Sequence, residues 1–318
     1  MSTQKITSME VAKLAGVSQS AVSRVFTPGA SSSKKTNELV RKAAAELGYR
    51  PNVLARSLIT GKSRMIGLVV AYLDNYFYPE ALELLSSALQ KKGYHVLIFM
   101  SGNKEGDIAD AVDEILDYQV DGIIAASVSM SSDLAKRCTS AGVPVVLFNR
   151  TQDDDRLSAV TSDNFQGGQK VARFLLAGGH KRIAYIAGWE GASTQRDREK
   201  GFTEELVRNG QELYAREVGN FNSDEARQAA RTMFSKQNFP DAVFVANDAM
   251  AIAVIDVIRF ELGLQVPEQV SVVGYDDVPI SSWPAYDLTT VRQPANRMVA
   301  ETVSILIESI ENKTTTAR

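Results

Sequence analysis

Amides, carboxylates and guanidinium groups stand just beyond a series of short apolar runs in this chain. Asp74, Asn75 and Phe77 follow MIGLVVAY, Asn149 and Arg150 follow VVLF, Asn247 and Asp248 follow AVFVA, and Asp276 and Asp277 follow VSVVGY. Arg196 and Arg198 open a helical pattern after RIAYIA, and Phe221 lies in a Gly-Asn-Phe-Asn turn. Such groups supply donors and acceptors for hydroxyls, and an aromatic ring stacks on the apolar face of a sugar-like ring, so their joint placement describes a site for a small polar molecule. Catalysis has less to build on. His95 and His180 accompany neither a Gly-x-Ser-x-Gly elbow nor a His-Glu pair. Asp276 and Asp277 are adjacent, so their side chains point apart, and no nucleophile or metal-ligand spacing accompanies them. No dinucleotide fingerprint follows the first run, and Thr60-Gly61-Lys62-Ser63 is not a P-loop, because Arg56 stands where its first glycine is required. No catalytic residue, metal ligand or cofactor is therefore expected.

The elements that must position these side chains alternate along the body of the chain. Apolar runs predict strands at 65–72, 95–100, 122–126, 145–148, 159–161, 182–187, 242–246 and 270–274. Amphipathic stretches predict helices at 79–92, 104–118, 132–141, 164–177, 196–209, 223–237, 249–262 and 294–312. Such alternation argues for α/β architecture with parallel, helix-covered sheets, which bind ligands at the carboxyl ends of their strands. With 318 residues, 44% of them hydrophobic, the chain can form two globular units or more. The N-terminus lacks an apolar signal segment and no run of about 18 apolar residues occurs, so the expectation is a cytoplasmic protein with no membrane partner. Cys138 is the single cysteine, which excludes an intramolecular disulfide and a cysteine zinc site and reads as a packing residue.

Charge separates the first 64 residues from the rest. They hold 11 Lys/Arg against 3 Asp/Glu, while the remaining 254 hold 24 against 35, so a cationic head (+8) precedes an anionic body (−11). A phosphate backbone is the natural partner of such a head. Thr7-Ser8-Met9-Glu10 has capping-box spacing and opens a short helix with Met9, Val11, Ala12 and Leu14 as its apolar face, ended by Gly16. Ser18 is placed to cap a second helix, 19–26, with Val22 and Val25 inward and Gln19, Ser20, Ser23 and Arg24 outward. A third helix fits 34–47, with Leu39, Val40, Ala43, Ala44 and Leu47 as its core face and Gly48 as its stop. Two helices on a tight turn plus a third make a helix-turn-helix head, in which the second helix enters the major groove and Gln19, Ser20 and Arg24 reach base edges. Beyond it, Pro51 begins a segment of about two turns, too short to be a stable helix alone. Its Leu54 and Leu58, four apart, either pack on a neighbouring copy or wedge into a minor groove.

Three stretches carry a family resemblance: Glu10-Val11-Ala12-Lys13-Leu14-Ala15-Gly16-Val17-Ser18, Ala21-Val22-Ser23-Arg24-Val25, and Glu46-Leu47-Gly48-Tyr49-Arg50-Pro51-Asn52 followed by Ala55-Arg56-Ser57-Leu58. They resemble the DNA-binding head and hinge of the LacI/GalR family of bacterial transcription regulators. The resemblance implies a head that reads half of a pseudo-palindromic double-stranded operator and a hinge helix that orders on DNA. The implied DNA surface comprises Thr7, Ser18, Gln19, Ser20, Ser23 and Arg24 in the head and Asn52, Ala55, Arg56 and Leu58 in the hinge, with Leu58 as the minor-groove wedge. Two residues depart from the pattern, Ser32 at a usually apolar position and Asn37 at an often basic one.

The resemblance continues through Asp163-Asn164-Phe165-Gln166-Gly167-Gly168, Gly179-His180-Lys181-Arg182-Ile183-Ala184, Arg198-Glu199-Lys200-Gly201-Phe202, Ala246-Asn247-Asp248, Ser271-Val272-Val273-Gly274-Tyr275-Asp276-Asp277 and Leu288-Thr289-Thr290-Val291-Arg292-Gln293-Pro294. It implies a two-lobed body like that of periplasmic sugar-binding proteins. The expected division is a head at 1–50, a hinge at 51–64, and a body at 65–318, with lobe 1 at 65–160 plus 291–318 and lobe 2 at 161–290. By the same resemblance Arg198, Asn247 and Asp276 hydrogen-bond the effector and Phe221 stacks on it; Asn75, Phe77 and Asn149 complete the expected site. Asn149 stands where some sugar-binding relatives carry Asp. Relatives continue past their last helix into a further strand, whereas this sequence stops at IENKTTTAR without a leucine-rich tail. The expected function is a homodimeric repressor controlled by a small polar effector; the alternatives are a solute-binding protein, which the basic head opposes, and an α/β enzyme acting on a small polar metabolite.

Overall fold

Thr7 and Glu10 set where the chain first turns helical. In the computed structural model the Glu10 carboxylate accepts from the Thr7 backbone N–H at 2.7 Å and from its hydroxyl at 3.0 Å, which holds Glu10 below the ordinary carboxylate range. Helix α1 (Ser8–Ala15) ends at Gly16, whose φ of +64° is a left-handed conformation that a side chain would strain. Helix α2 (Gln19–Phe26) is capped by Ser18, whose hydroxyl accepts from Ala21 N–H at 3.3 Å, and α3 (Lys34–Leu47) by Ser33 in the same way. Val11, Ala12, Val22, Val25, Val40, Ala43 and Ala44 form the head's core. Met9, Leu14 and Leu39, expected inside, face outward at 64%, 47% and 42% exposure. A core this small is closed by the valines and alanines of three short helices and leaves no depth for longer side chains. Ser32 and Asn37 are joined instead of packed: the Asn37 amide donates to Ser32 Oγ at 3.4 Å and accepts from Arg41 Nε at 2.6 Å.

The chain divides into two units, Met1–Ser63 and Arg64–Arg318, and the structure describes residues 6–27, 30–51, 62–71, 73–101, 105–128, 130–152 and 157–316. The hinge residues Asn52, Ala55, Arg56 and Leu58 lie outside the described residues.

The second unit holds two parallel sheets. The first is ordered β2-β1-β3-β4-β5, from β1 (Met65–Val70), β2 (His95–Met100), β3 (Gly122–Ala126), β4 (Val145–Phe148) and β5 (Ser158–Val160). Helices α4 (Phe77–Lys91), α5 (Glu105–Asp117) and α6 (Ser132–Ser140) connect its first four strands. The second sheet is ordered β10-β9-β8-β6-β7, from β6 (Ile183–Ala187), β7 (Ala215–Val218), β8 (Ala242–Val245), β9 (Ser271–Asp276) and β10 (Thr289–Arg292). Its helices are α7 (Asn164–Ala177), α8 (Ser193–Arg208), α9 (Ser223–Phe234) and α10 (Asp248–Asp256). Central strands buried on both faces read as unbroken apolar runs, which is why IIAA, VVLF and AVFV announce themselves in the sequence. The two strands that sequence reading did not find, β7 and β10, are sheet edges of mixed polar composition, AREV and TTVR. A helical segment expected at 249–262 is α10 followed by a π-helical turn, Val257–Glu261.

The chain crosses into the second sheet after β5 and leaves it after β10, so residues 291–292, expected in lobe 1, pair in lobe 2. Helix α11 (Ala295–Thr316) then returns, and its Met298, Val299, Val303, Leu306, Ile307 and Ile310 join the core of the first lobe beside Ile66, Leu85 and Phe148.

Candidate functional site

Both sheets turn their carboxyl ends toward one narrow cleft, lined by Asn75, Tyr78, Ser127, Asn149, Arg150, Thr194, Arg198, Phe221, Asn247 and Asp276. Asn75, Ser127 and Asn149 follow β1, β3 and β4, and Phe221, Asn247 and Asp276 follow or end β7, β8 and β9. Strand ends expose backbone and side-chain groups that no next turn of sheet covers, so a parallel sheet delivers polar residues there without disturbing its apolar interior.

Arg198 is fully buried on α8 and held from four sides. Its Nε donates to Asn164 Oδ1 at 2.8 Å, Nη1 donates to the Ala246 carbonyl at 2.5 Å, Nη2 lies 3.6 Å from Asp276 Oδ1, and the guanidinium sits 3.7 Å from the centre of the Tyr275 ring. A guanidinium so constrained presents a fixed fork to whatever enters. Asp276 accepts from Gln293 Nε2 at 2.8 Å and Asn75 Nδ2 at 3.4 Å. Burial pushes its carboxyl up to about 7; Arg198 works against that shift, and the nearby Asp248 reinforces it. Asp248, pushed up to about 6 chiefly by burial, lies behind the cleft and accepts from Thr290 Oγ1 at 2.6 Å and Val278 N–H at 3.0 Å.

Two amide atoms lining the cleft are buried without a partner, Asn149 Oδ1 and Asn247 Nδ2. The other halves of both amides are engaged: Asn149 Nδ2 donates to the Tyr78 hydroxyl at 3.0 Å, and Asn247 Oδ1 caps α10 by accepting from Met250 N–H at 3.0 Å. The backbone N–H of Met250 sets the orientation of Asn247 and leaves Nδ2 as a donor, while the Tyr78 hydroxyl can donate or accept, so either orientation of Asn149 leaves one amide atom over.

Contacts across the cleft bring the lobes together. Thr151 N–H donates to Ser193 Oγ at 2.9 Å, the Arg150 guanidinium lies 5.3 Å from the Trp189 ring centre, and Ser162 Oγ donates to Gln293 Oε1 at 2.8 Å where the chain crosses.

Of the seven expected effector residues, the structure places Asn75, Asn149, Arg198, Phe221, Asn247 and Asp276 on the cleft wall. Phe77 is not there. Its N–H donates to Asn75 Oδ1 at 3.1 Å in the turn that starts α4, and its ring packs in the first lobe's core, 6.3 Å from Phe148 in a near-parallel stack. The next residue, Tyr78, takes the place expected of Phe77. Ser127 and Thr194 had as their only sequence signal a position directly after a strand and in the first turn of α8. A wider surface hollow lies over Glu190, Arg196, Glu199, Lys200 and Arg216; it is open, and Arg216 is shared between the two glutamates.

In the head, Gln19, Ser20, Ser23 and Arg24 all lie on the exposed face of α2, with Thr7 and Ser18 at the helix entries. Ser18 Oγ also pairs with Ser20 Oγ at 3.0 Å, Arg24 Nε donates to the Ser20 carbonyl at 3.4 Å, and Gln19 Nε2 donates to Ser8 Oγ at 2.9 Å.

Residues 63–318 match the family model of periplasmic binding proteins and the sugar binding domain of the LacI family, and residues 7–52 match that of bacterial regulatory proteins of the lacI family. The HTH-type transcriptional repressor PurR of Vibrio vulnificus is 30% identical over 307 residues, covering 96% of this chain and 92% of that protein. The HTH-type transcriptional regulator CelR of Thermobifida fusca is 32% identical over 314 residues, with the same coverage. The lac repressor dimer bound to operator and the anti-inducer ONPF superposes with a TM-score of 0.87 at 29% identity, covering 98% of this chain and 94% of that one. A CelR–cellobiose complex gives a TM-score of 0.72 at 30% identity, covering 97% and 94%. Among the described residues no helix is long and apolar enough to cross a membrane.

Proposed function

The chain belongs to the LacI family of bacterial regulatory proteins, and from that premise we propose that it is a homodimeric repressor whose hold on operator DNA is set by a small, hydroxyl-rich effector in the cleft. It is a DNA-binding regulator and not an enzyme, as its relatives are. The single observation that carries the effector class is the pair of buried, unpartnered amide atoms, Asn149 Oδ1 and Asn247 Nδ2. Each costs about 1–3 kcal/mol while unsatisfied, and a hydroxyl, being donor and acceptor together, relieves either one. Phe221 supplies a face for a sugar ring, and Arg198 and Asp276 supply a fixed donor and an adjustable acceptor. A relative solved with cellobiose gives the same class.

The head reads a half-site through α2, and two heads on a dimer read a pseudo-palindrome. Asn52, Ala55, Arg56 and Leu58 belong to the same DNA surface, with Leu58 as the wedge. The protein works in the cytoplasm, where its operator is. Effector binding changes how the lobes close across Thr151–Ser193 and Arg150–Trp189, and hence how a dimer presents its heads. The test is a thermal-shift screen of pentoses, hexoses and disaccharides beside nucleobases and organic acids, followed by operator binding with each hit. A sugar that both raises the melting temperature and changes operator affinity is the expected result. Stabilisation by nucleobases or organic acids alone would overturn the effector class.

A further inference from the structure

The hydrogen bond between Ser8 and Gln19 does more than join two helices of the head. Gln19 is the first residue of α2 and is exposed beside Ser20, Ser23 and Arg24. Its neighbours are already committed, the Ser18 hydroxyl to capping α2 and to Ser20, and Arg24 Nε to the Ser20 carbonyl. Gln19 gives one of its two amide hydrogens to Ser8 Oγ at 2.9 Å, eleven residues back on α1. That bond tethers the carboxamide to α1 and cuts its rotamer freedom. What remains is one N–H beside one carbonyl oxygen in a single plane. Of the four major-groove base edges, adenine presents the matching pair, an N7 acceptor beside an N6 donor.

Resting on the reading that α2 enters the major groove, we infer that Ser8 is a positioning residue for sequence recognition: by holding Gln19 Nε2 from the neighbouring helix, it sets the glutamine to read an adenine in each operator half-site. Freed from Ser8, the side chain regains rotamer freedom and holds that pairing geometry less well.

The experiment is selection of bound duplexes from a random pool with four full-length proteins: wild type, Gln19→Ala, Ser8→Ala and Ser8→Thr. Wild type is expected to enrich adenine at one position of each half-site by about 10-fold over the other bases. Gln19→Ala removes that preference and leaves the other positions intact. Ser8→Ala weakens the same position at least ~3-fold, and Ser8→Thr, which keeps the hydroxyl, restores it. Uniform weakening of every position by Ser8→Ala marks a phosphate contact or a folding role and overturns the assignment. So does an unchanged pattern, or a base other than adenine being lost with Gln19. Failure of the wild type to enrich any motif overturns the DNA-binding reading itself, a result distinct from the others.

Discussion

Arg198 and Asp276 divide the work of the cleft between a group that never loses its charge and one poised to change it. Replacing Arg198 with alanine removes the fork while leaving the head untouched. Operator binding should survive in Arg198→Ala, and the response to an active effector should disappear, as measured by operator affinity with and without ligand. Asp276 has a pH signature. Unfolded, its carboxyl ionises near 3.8; folded, burial raises that to about 7 despite Arg198, with Asp248 adding to the rise. Between those values the folded state binds the extra proton, so this group withdraws stability as pH rises from about 4 to 7. Melting temperature followed from pH 4.5 to 7.5 should therefore fall less in Asp276→Asn than in the wild type; equal slopes would contradict the assignment. The polar residues at strand ends were legible in the sequence because an apolar run locates its own end. Phe77 and Tyr78 were not, because a turn closed by Asn75 sets the rotation of α4 and decides which of two adjacent aromatics faces the cleft. Ser127 and Thr194 are small hydroxyls that look like any turn or helix-start residue.

Helices α7 and α8 are the elements that aim Arg198, and they touch backbone to backbone. A Cβ on Gly168 of α7 would run into the Arg198 carbonyl, and one on Gly201 of α8 into the Phe165 carbonyl. Neither obstacle is a flexible side chain that can swing aside. Gly168→Ala should lower stability by about 1–3 kcal/mol in urea unfolding and weaken effector binding as well, since the helices part where Arg198 is anchored. Most elements of the body were readable, for the central strands are buried on both faces and the helices amphipathic. The edge strands β7 and β10 were not, because an edge strand satisfies its sheet with polar residues such as Arg216 and Thr290. The start of α8 at Ser193 instead of Arg196 was hidden by the uncapped entry at Ala192.

The whole molecule couples a cationic head to an anionic sensor. Operator affinity should fall steeply with salt, log K dropping by about 0.9 for each phosphate neutralised per unit of log salt concentration. Leu58→Ala should lower affinity for the selected operator more than for random duplex while leaving effector binding unchanged; equal affinity for the operator would exclude the wedge. Linkage requires that DNA change effector affinity by the same factor by which effector changes DNA affinity. One feature of the fold also bears on how the regulator is born. Strands β1 to β5 are synthesised by residue 160, yet the face of their sheet that α4 covers in part is not closed until α11 arrives with Val303, Leu306 and Ile310. At about 5–20 residues per second that delay is on the order of 10–30 s, during which the head is already synthesised and the sensor is not yet assembled. A nascent chain can therefore hold a finished DNA-reading unit near the message before it is able to hear the signal that governs it.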